Sequence, residues 1–184
     1  TQNAGVNLYE SDGDWTINDT VVQNSSSNGI NAGESNGELD INNLTVRDVD
    51  GDGIDADSAG GNITVRDTGV QTADNGIDAE KSNGQLIVSN SAVRDTDGDG
   101  IDASNATGNG TVHGSEFRNM GDKSIDVIDS EGGWQIHESI LTGGSEGTLD
   151  AWDAKRMINA SRNYWGAADG PSEMFCGSGG AIGG

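Results

Sequence analysis

Apolar residues recur along this chain on one beat. Val6, Ile30, Ile54, Ile77, Ile101, Ile125 and Leu149 are separated by 24, 24, 23, 24, 24 and 24 residues. A second series, Ile17, Ile41, Val65, Val88, Val112, Ile136 and Ala160, follows 11 residues after the first. A third, Val22, Val46, Val70, Val93, Phe117, Leu141 and Trp165, comes five later. Around each position polarity alternates, as in Gly-Ile-Asp-Ala or Leu-Asp-Ile, which is the period of a strand with one side buried. Nothing in the chain has the three-and-four spacing of an amphipathic helix. Short strands of this kind bury their apolar sides only when each turn lies on the next. The pattern predicts an all-β fold: a single-stranded right-handed parallel β-helix of about seven coils of 24 residues, three strands per coil. Its handedness follows from the bias of parallel crossovers.

With strands stacked about 4.8 Å apart, such a rod spans roughly 30 Å from first to last coil. Two further inward series fill it. One is small: Ala32, Ala56, Ala79, Ala103, Val127 and Ala151. The other is Trp15, Leu39, Ile63, Leu86, Gly110, Trp134 and Ile158, which puts Trp15 and Trp134 in the core. The small residues imply a narrow interior with no ligand cavity. Residues 1–165 form the predicted β-helix, and 166–184, which lose the rhythm and end in Gly-Ser-Gly-Gly-Ala-Ile-Gly-Gly, a C-terminal cap or Gly-rich linker. The first coil would present an open edge, so further coils, another domain or a homo-oligomer partner is expected there. Two glycine series, Gly5/29/53/76/100 and Gly13/37/61/84/108/132, mark places where the backbone either takes a positive φ or passes close to the next coil.

Composition narrows the partners. Nine basic residues against 31 acidic ones leave a net charge of −22, which repels nucleic acid and anionic membranes and favours high salt or bound cations. A halophilic source or a calcium-rich extracellular setting fits. No apolar run is long enough to suggest membrane insertion. Seven Asn-x-Ser/Thr sequons, at Asn18, Asn24, Asn43, Asn62, Asn105, Asn109 and Asn159, agree with a secreted glycoprotein, although a polar ladder also generates them. Cys176 is the single cysteine and has no internal disulfide partner.

The coil repeats resemble the right-handed parallel β-helix proteins of the pectate-lyase-like and NosD-like kind. The closing Asn163-Tyr164-Trp165-Gly166 with Gly170-Pro171 looks like the segment that ends many such domains. The resemblance implies fold and an extracellular, cell-surface or virion-surface location. It does not choose an activity, because this architecture carries lyases, hydrolases, adhesins and viral spikes alike.

Five features could carry chemistry. Asp48-Val-Asp50-Gly-Asp52-Gly and Asp95-Thr-Asp97-Gly-Asp99-Gly resemble the opening of calcium loops, with hard oxygen ligands at alternate positions and glycine for the turn. Ca²⁺ is the expected cofactor. The bidentate Glu of a complete loop is missing, since Ala59 and Ala106 stand there, so waters, carbonyls or a neighbouring coil such as Asp74 would have to complete the site. Asn31, Asp55, Asp78, Asp102, Asp126 and Asp150 form an outward column, either a solvated face or a cation stripe. His113 and His137 lie one coil apart and with Glu116 or Glu138 could ligate a transition metal; the NosD-like resemblance implies copper association. Arg47, Arg94 and Arg118 form a partial stack with Asp48 and Asp95 beside it, the region a polysaccharide lyase or related carbohydrate-active enzyme would use. The Arg-x-Pro-x-x-Arg signature of pectate lyases is absent. Tyr9, Trp152 and Tyr164 are candidate stacking platforms for a polysaccharide or cell-surface glycan. Taken together these features describe a non-catalytic rigid or adhesive module, with an enzyme as the alternative.

Overall fold

The computed structural model describes residues 4–167, 171–172 and 179–183. The three apolar series become three stacked faces. Face 1 is built from two-residue strands, Val6–Asn7, Ile30–Asn31, Ile54–Asp55, Ile77–Asp78, Ile101–Asp102, Ile125–Asp126 and Leu149–Asp150, each paired in parallel with the next. These seven rungs bracket about six complete turns, slightly fewer than the seven coils the periodicity counts. Register follows the beat: Ile54 lies opposite Ile77, and Ile77 opposite Ile101. Gly179–Gly183 pairs in parallel with Leu149–Asp150 and extends this face by a rung. Cys176 and most of 166–184 lie outside the described residues.

Faces 2 and 3 join into one 11-stranded sheet, because Trp15–Ser25 and Leu39–Val49 each run unbroken through both. From the third coil onward the ribbon divides, as in Ile63–Arg66 followed by Gly69–Gln71, or Gly110–His113 followed by Glu116–Met120. The cause is a buried hydroxyl column. The amides of Thr68, Ser91 and Ser115 donate to the Oγ of Ser91, Ser115 and Ser139, at 3.2, 3.2 and 3.1 Å, instead of to a backbone carbonyl. Leu44, the equivalent in the second coil, offers no such acceptor, and the backbone ladder continues past it.

Ile30, Ile54, Ile77, Ile101 and Ile125 are fully buried. Each contributes about 2 kcal/mol by leaving water. Gly110 makes room for the indole of Trp134, which a Cβ there would strike, and Trp134 is 1% exposed. Trp15 occupies the same column yet is 44% exposed. Inward parity set its direction correctly, but no coil lies above it among the described residues, so it is not a core residue.

Every coil turns at three corners, and each corner takes a positive φ. The first column is Glu10, Glu34, Ser58, Lys81, Asn105, Asp129 and Asp153; the second is Asp19, Asn43, Asp67, Asn90, Gly114, Glu138 and Arg162; the third is Asn24, Asp48, Thr72, Asp95, Asn119 and Gly143. Neither glycine series of the sequence falls in these columns. Those glycines serve close approach instead: a Cβ at Gly61 would overlap the carbonyl oxygen of Gly37 on the preceding coil.

Candidate functional site

Just before face 1, one column alternates amide and carboxylate: Asn28, Asp52, Asn75, Asp99, then Lys123. Each side-chain oxygen accepts the amide of the next residue in the column, Asp52 N to Asn28 Oδ1 at 3.0 Å, Asn75 N to Asp52 Oδ1 at 3.0 Å, Asp99 N to Asn75 Oδ1 at 2.8 Å and Lys123 N to Asp99 Oδ1 at 2.7 Å. The coils are thus stitched by side chains where no strand pairs them. Three residues on runs the Asn31–Asp150 column. It is half-buried, with Asp126 buried, and is not the outward solvated row that alternation suggests. Each oxygen accepts the amide two residues ahead, as in Asp78 with Glu80 at 2.9 Å and Asn31 with Gly33 at 3.1 Å. These are Asx turns, which lead the chain out of face 1.

Stacked half-buried carboxylates disfavour their own ionisation. Desolvation, with repulsion from Asp52, Asp102 and Asp55, pushes Asp78 up to about 7. Desolvation likewise takes Asp99 to about 7 and Asp52 to about 6, each against the lowering effect of the amide it accepts. Lys123 sits at the C-terminal end of the cluster, 3.1 Å from Asp126.

The two Asp-x-Asp-Gly-Asp motifs are dispersed by this arrangement. Asp52 and Asp99 turn into the wall, and Asp48 and Asp95 occupy left-handed corners. Asp95 accepts amide hydrogens from Gln71 at 3.1 Å and Asn119 at 2.9 Å. The middle members come together across coils: Asp50 and Asp97 line one shallow depression with Asp74 between them. Neither motif gathers its own three carboxylates within 4.8 Å.

Among the described residues, the set that does lie within that distance is His113, His137 and Glu138. His113 and His137 are register partners on face 2. Their rings lie with centroids 4.6 Å apart, tilted by 37°, and their Nδ1 atoms 3.2 Å apart. Glu138, in the left-handed corner that follows, brings Oε2 to 3.6 Å from His113 Nδ1. Glu116, the other carboxylate considered from sequence, is engaged elsewhere by Arg94 and Arg118.

That engagement also redefines the arginine stack. Arg118 and then Arg94 hold the Glu116 carboxyl below its ordinary range. Arg47 donates to Gln23 at 2.9 Å, so Asp48 and Asp95 are not the partners of their adjacent arginines. The aromatic candidates are all exposed but far apart: Tyr9 and Trp152 mark the same column in the first and last coils, and Tyr164 is on face 3. All seven sequon asparagines are exposed.

The architecture is matched by a family model, that of the right handed beta helix region, over residues 4–164. The chain belongs to this family. No curated protein matches it. As a right-handed β-helix protein it falls within a structural or carbohydrate-related class of modules. The closing Asn-Tyr-Trp-Gly now has a physical reason. Asn163 Oδ1 accepts the Ser139 amide at 3.0 Å, ending the hydroxyl column, while its Nδ2 donates to the Ile136 carbonyl at 2.7 Å. Trp165, buried, covers the end of the core.

Proposed function

We propose that this β-helix is a non-catalytic extracellular module, a rigid rod or adhesive part of a cell-surface or viral appendage, which presents its flat faces to glycans and takes up Ca²⁺ at its acidic corners. The observation that carries the rod is the unbroken, fully buried isoleucine ladder from Ile30 to Ile125, which makes neighbouring coils one packed body with little freedom to bend. The cation part is supported by Asp50, Asp74 and Asp97 facing one depression from successive coils. Calcium there would be held across coils by carboxylates and water, and would offset repulsion that the protein otherwise carries.

Thermal melting in rising CaCl₂ tests this. At low ionic strength Ca²⁺ is expected to raise the melting temperature, EDTA to reverse the gain, and Asp50→Asn with Asp97→Asn to abolish it. An unchanged melting temperature would remove calcium from the reading. Release of unsaturated uronates, read by ultraviolet absorbance, from alginate, pectin or glycosaminoglycan would instead favour a lyase working along Arg47, Arg94 and Arg118.

A further inference from the structure

We propose that His113, His137 and Glu138 form a binding site for one divalent transition-metal ion of the Zn²⁺ class, held by two imidazole nitrogens and a carboxylate oxygen. The coil register sets the spacing. Two nitrogens each bound at about 2.0–2.1 Å to one tetrahedral zinc stand about 3.3–3.4 Å apart. The two Nδ1 atoms are 3.2 Å apart, held there because their strands pair residue for residue. Glu138 Oε2 lies 3.6 Å from His113 Nδ1, close to the separation of a third ligand on the same ion. Without a metal the two rings make one hydrogen bond, and only when a single hydrogen lies between the Nδ1 atoms. A cation between them satisfies both lone pairs at once.

The surroundings suit an ion. Arg162 binds the other carboxylate oxygen, Oε1, at 3.0 Å, which orients Glu138 and leaves Oε2 free to ligate. Gly114 occupies the corner where neighbouring coils carry Asn90 and Glu138. Its missing side chain leaves room for the amide oxygen of Asn90, which a Cβ there would meet at 2.9 Å. The His113 and Glu138 side chains are 42% and 45% exposed, so water can reach the fourth position. Nitrogen donors separate this site from the acidic columns, whose all-oxygen sets suit Ca²⁺ and Mg²⁺.

The test uses the full chain, stripped of metal, titrated calorimetrically with ZnCl₂ in molar KCl and millimolar CaCl₂. One saturable equivalent is expected. Co²⁺ in its place should give the intense visible bands of a tetrahedral site. His113→Ala and His137→Ala should each abolish the equivalent, Glu138→Gln should weaken it, and Arg162→Ala should lower affinity about 10-fold by freeing the carboxylate. In NMR spectra of the unsubstituted chain, both imidazole signals should shift together on the first equivalent, a readout independent of how the variants fold. Absence of zinc binding, competition by Ca²⁺, or a stoichiometry that survives both histidine substitutions would overturn the site.

Discussion

The glycine columns and the left-handed corners invert the usual association. Gly37, Gly61, Gly84, Gly108 and Gly132 lie outside the left-handed region, while 18 non-glycine residues among those described, Glu34, Lys81, Thr72 and Arg162 included, take φ near +55°. Space explains the difference. At the glycines a coil lies against the carbonyl of the coil before, and no Cβ fits; the corners face mostly outward, and strain of about 1 kcal/mol per residue is tolerated there. A position in this solenoid therefore selects for what the next coil leaves room for before it selects for backbone preference.

The strongest test replaces Gly61 with Ala. The added methyl would overlap a backbone oxygen of Gly37, which cannot swing aside as a side chain can, so two coils must part. A loss of about 3 kcal/mol is expected, the upper end for overpacking. In a chain of this size that is roughly 6–12 °C in melting temperature. Gly69→Ala is the control, because nothing lies within 4 Å of the position its Cβ would take and its register partner Ala92 is already alanine. Equal losses at the two glycines would end the spatial explanation.

The contrast also shows what a sequence of this kind discloses. The face 1 ladder was legible because each isoleucine meets its own equivalent, so one spacing repeated along the chain records the whole core. His113 and His137 were legible for the same reason. The roles of Asp52 and Asp99 were not, since three acids and a glycine carry the same letters in a calcium loop and in a stitched wall. The signal was present one coil away: Asn28 and Asn75 stand on the same beat, and an amide there replaces a carboxylate because the coil needs only an acceptor oxygen. The hydroxyl column Thr68/Ser91/Ser115/Ser139 was similarly periodic but hidden among many serines. Trp15 misled because alternation gives a side chain's direction and not whether another coil covers it.

That substitution of amide for acid gives the next test. Asn31 performs on its coil the turn that Asp78 performs on its own, so the charge of Asp78 is surplus to the geometry. Asp78 titrates near 7 in the folded chain against an ordinary 3.8. The folded state then binds a proton more tightly than the unfolded one, and stability rises as pH falls from about 7 toward 4; above 7 the full penalty remains. Asp99 and Asp52 act in the same direction. At pH 8, Asp78→Asn should stabilise by about 1–2 kcal/mol, and below the unfolded value of 3.8, where the carboxyl is protonated in the folded and unfolded chains alike, by almost nothing. Melting curves of both proteins across that range measure it. Glu116, with its lowered value, works the other way and loses its contribution only at more acidic pH. A gain from Asp78→Asn that did not depend on pH would show that repulsion is not its source.

The smallest effect lies at Thr72, the one β-branched residue among the described left-handed corners, with φ 55°. Its column otherwise holds Asn24, Asp48, Asp95, Asn119 and Gly143, residues that adopt this conformation more readily. Thr72 is exposed and its carbonyl, which accepts the Val49 amide at 3.0 Å, is unaffected by side-chain replacement. Thr72→Asn should therefore stabilise by about 0.5–1 kcal/mol. Placed beside Gly61→Ala, it separates the two demands on the chain: relieving backbone strain at a corner gives a modest gain because the neighbouring coil already accommodates the shape, whereas adding one methyl where a coil lies against its neighbour costs several times more. If Thr72→Asn lowered the melting temperature instead, strain would not be what distinguishes this corner, and the hydroxyl or methyl of Thr72 would have to be making a contact that holds the adjoining coils.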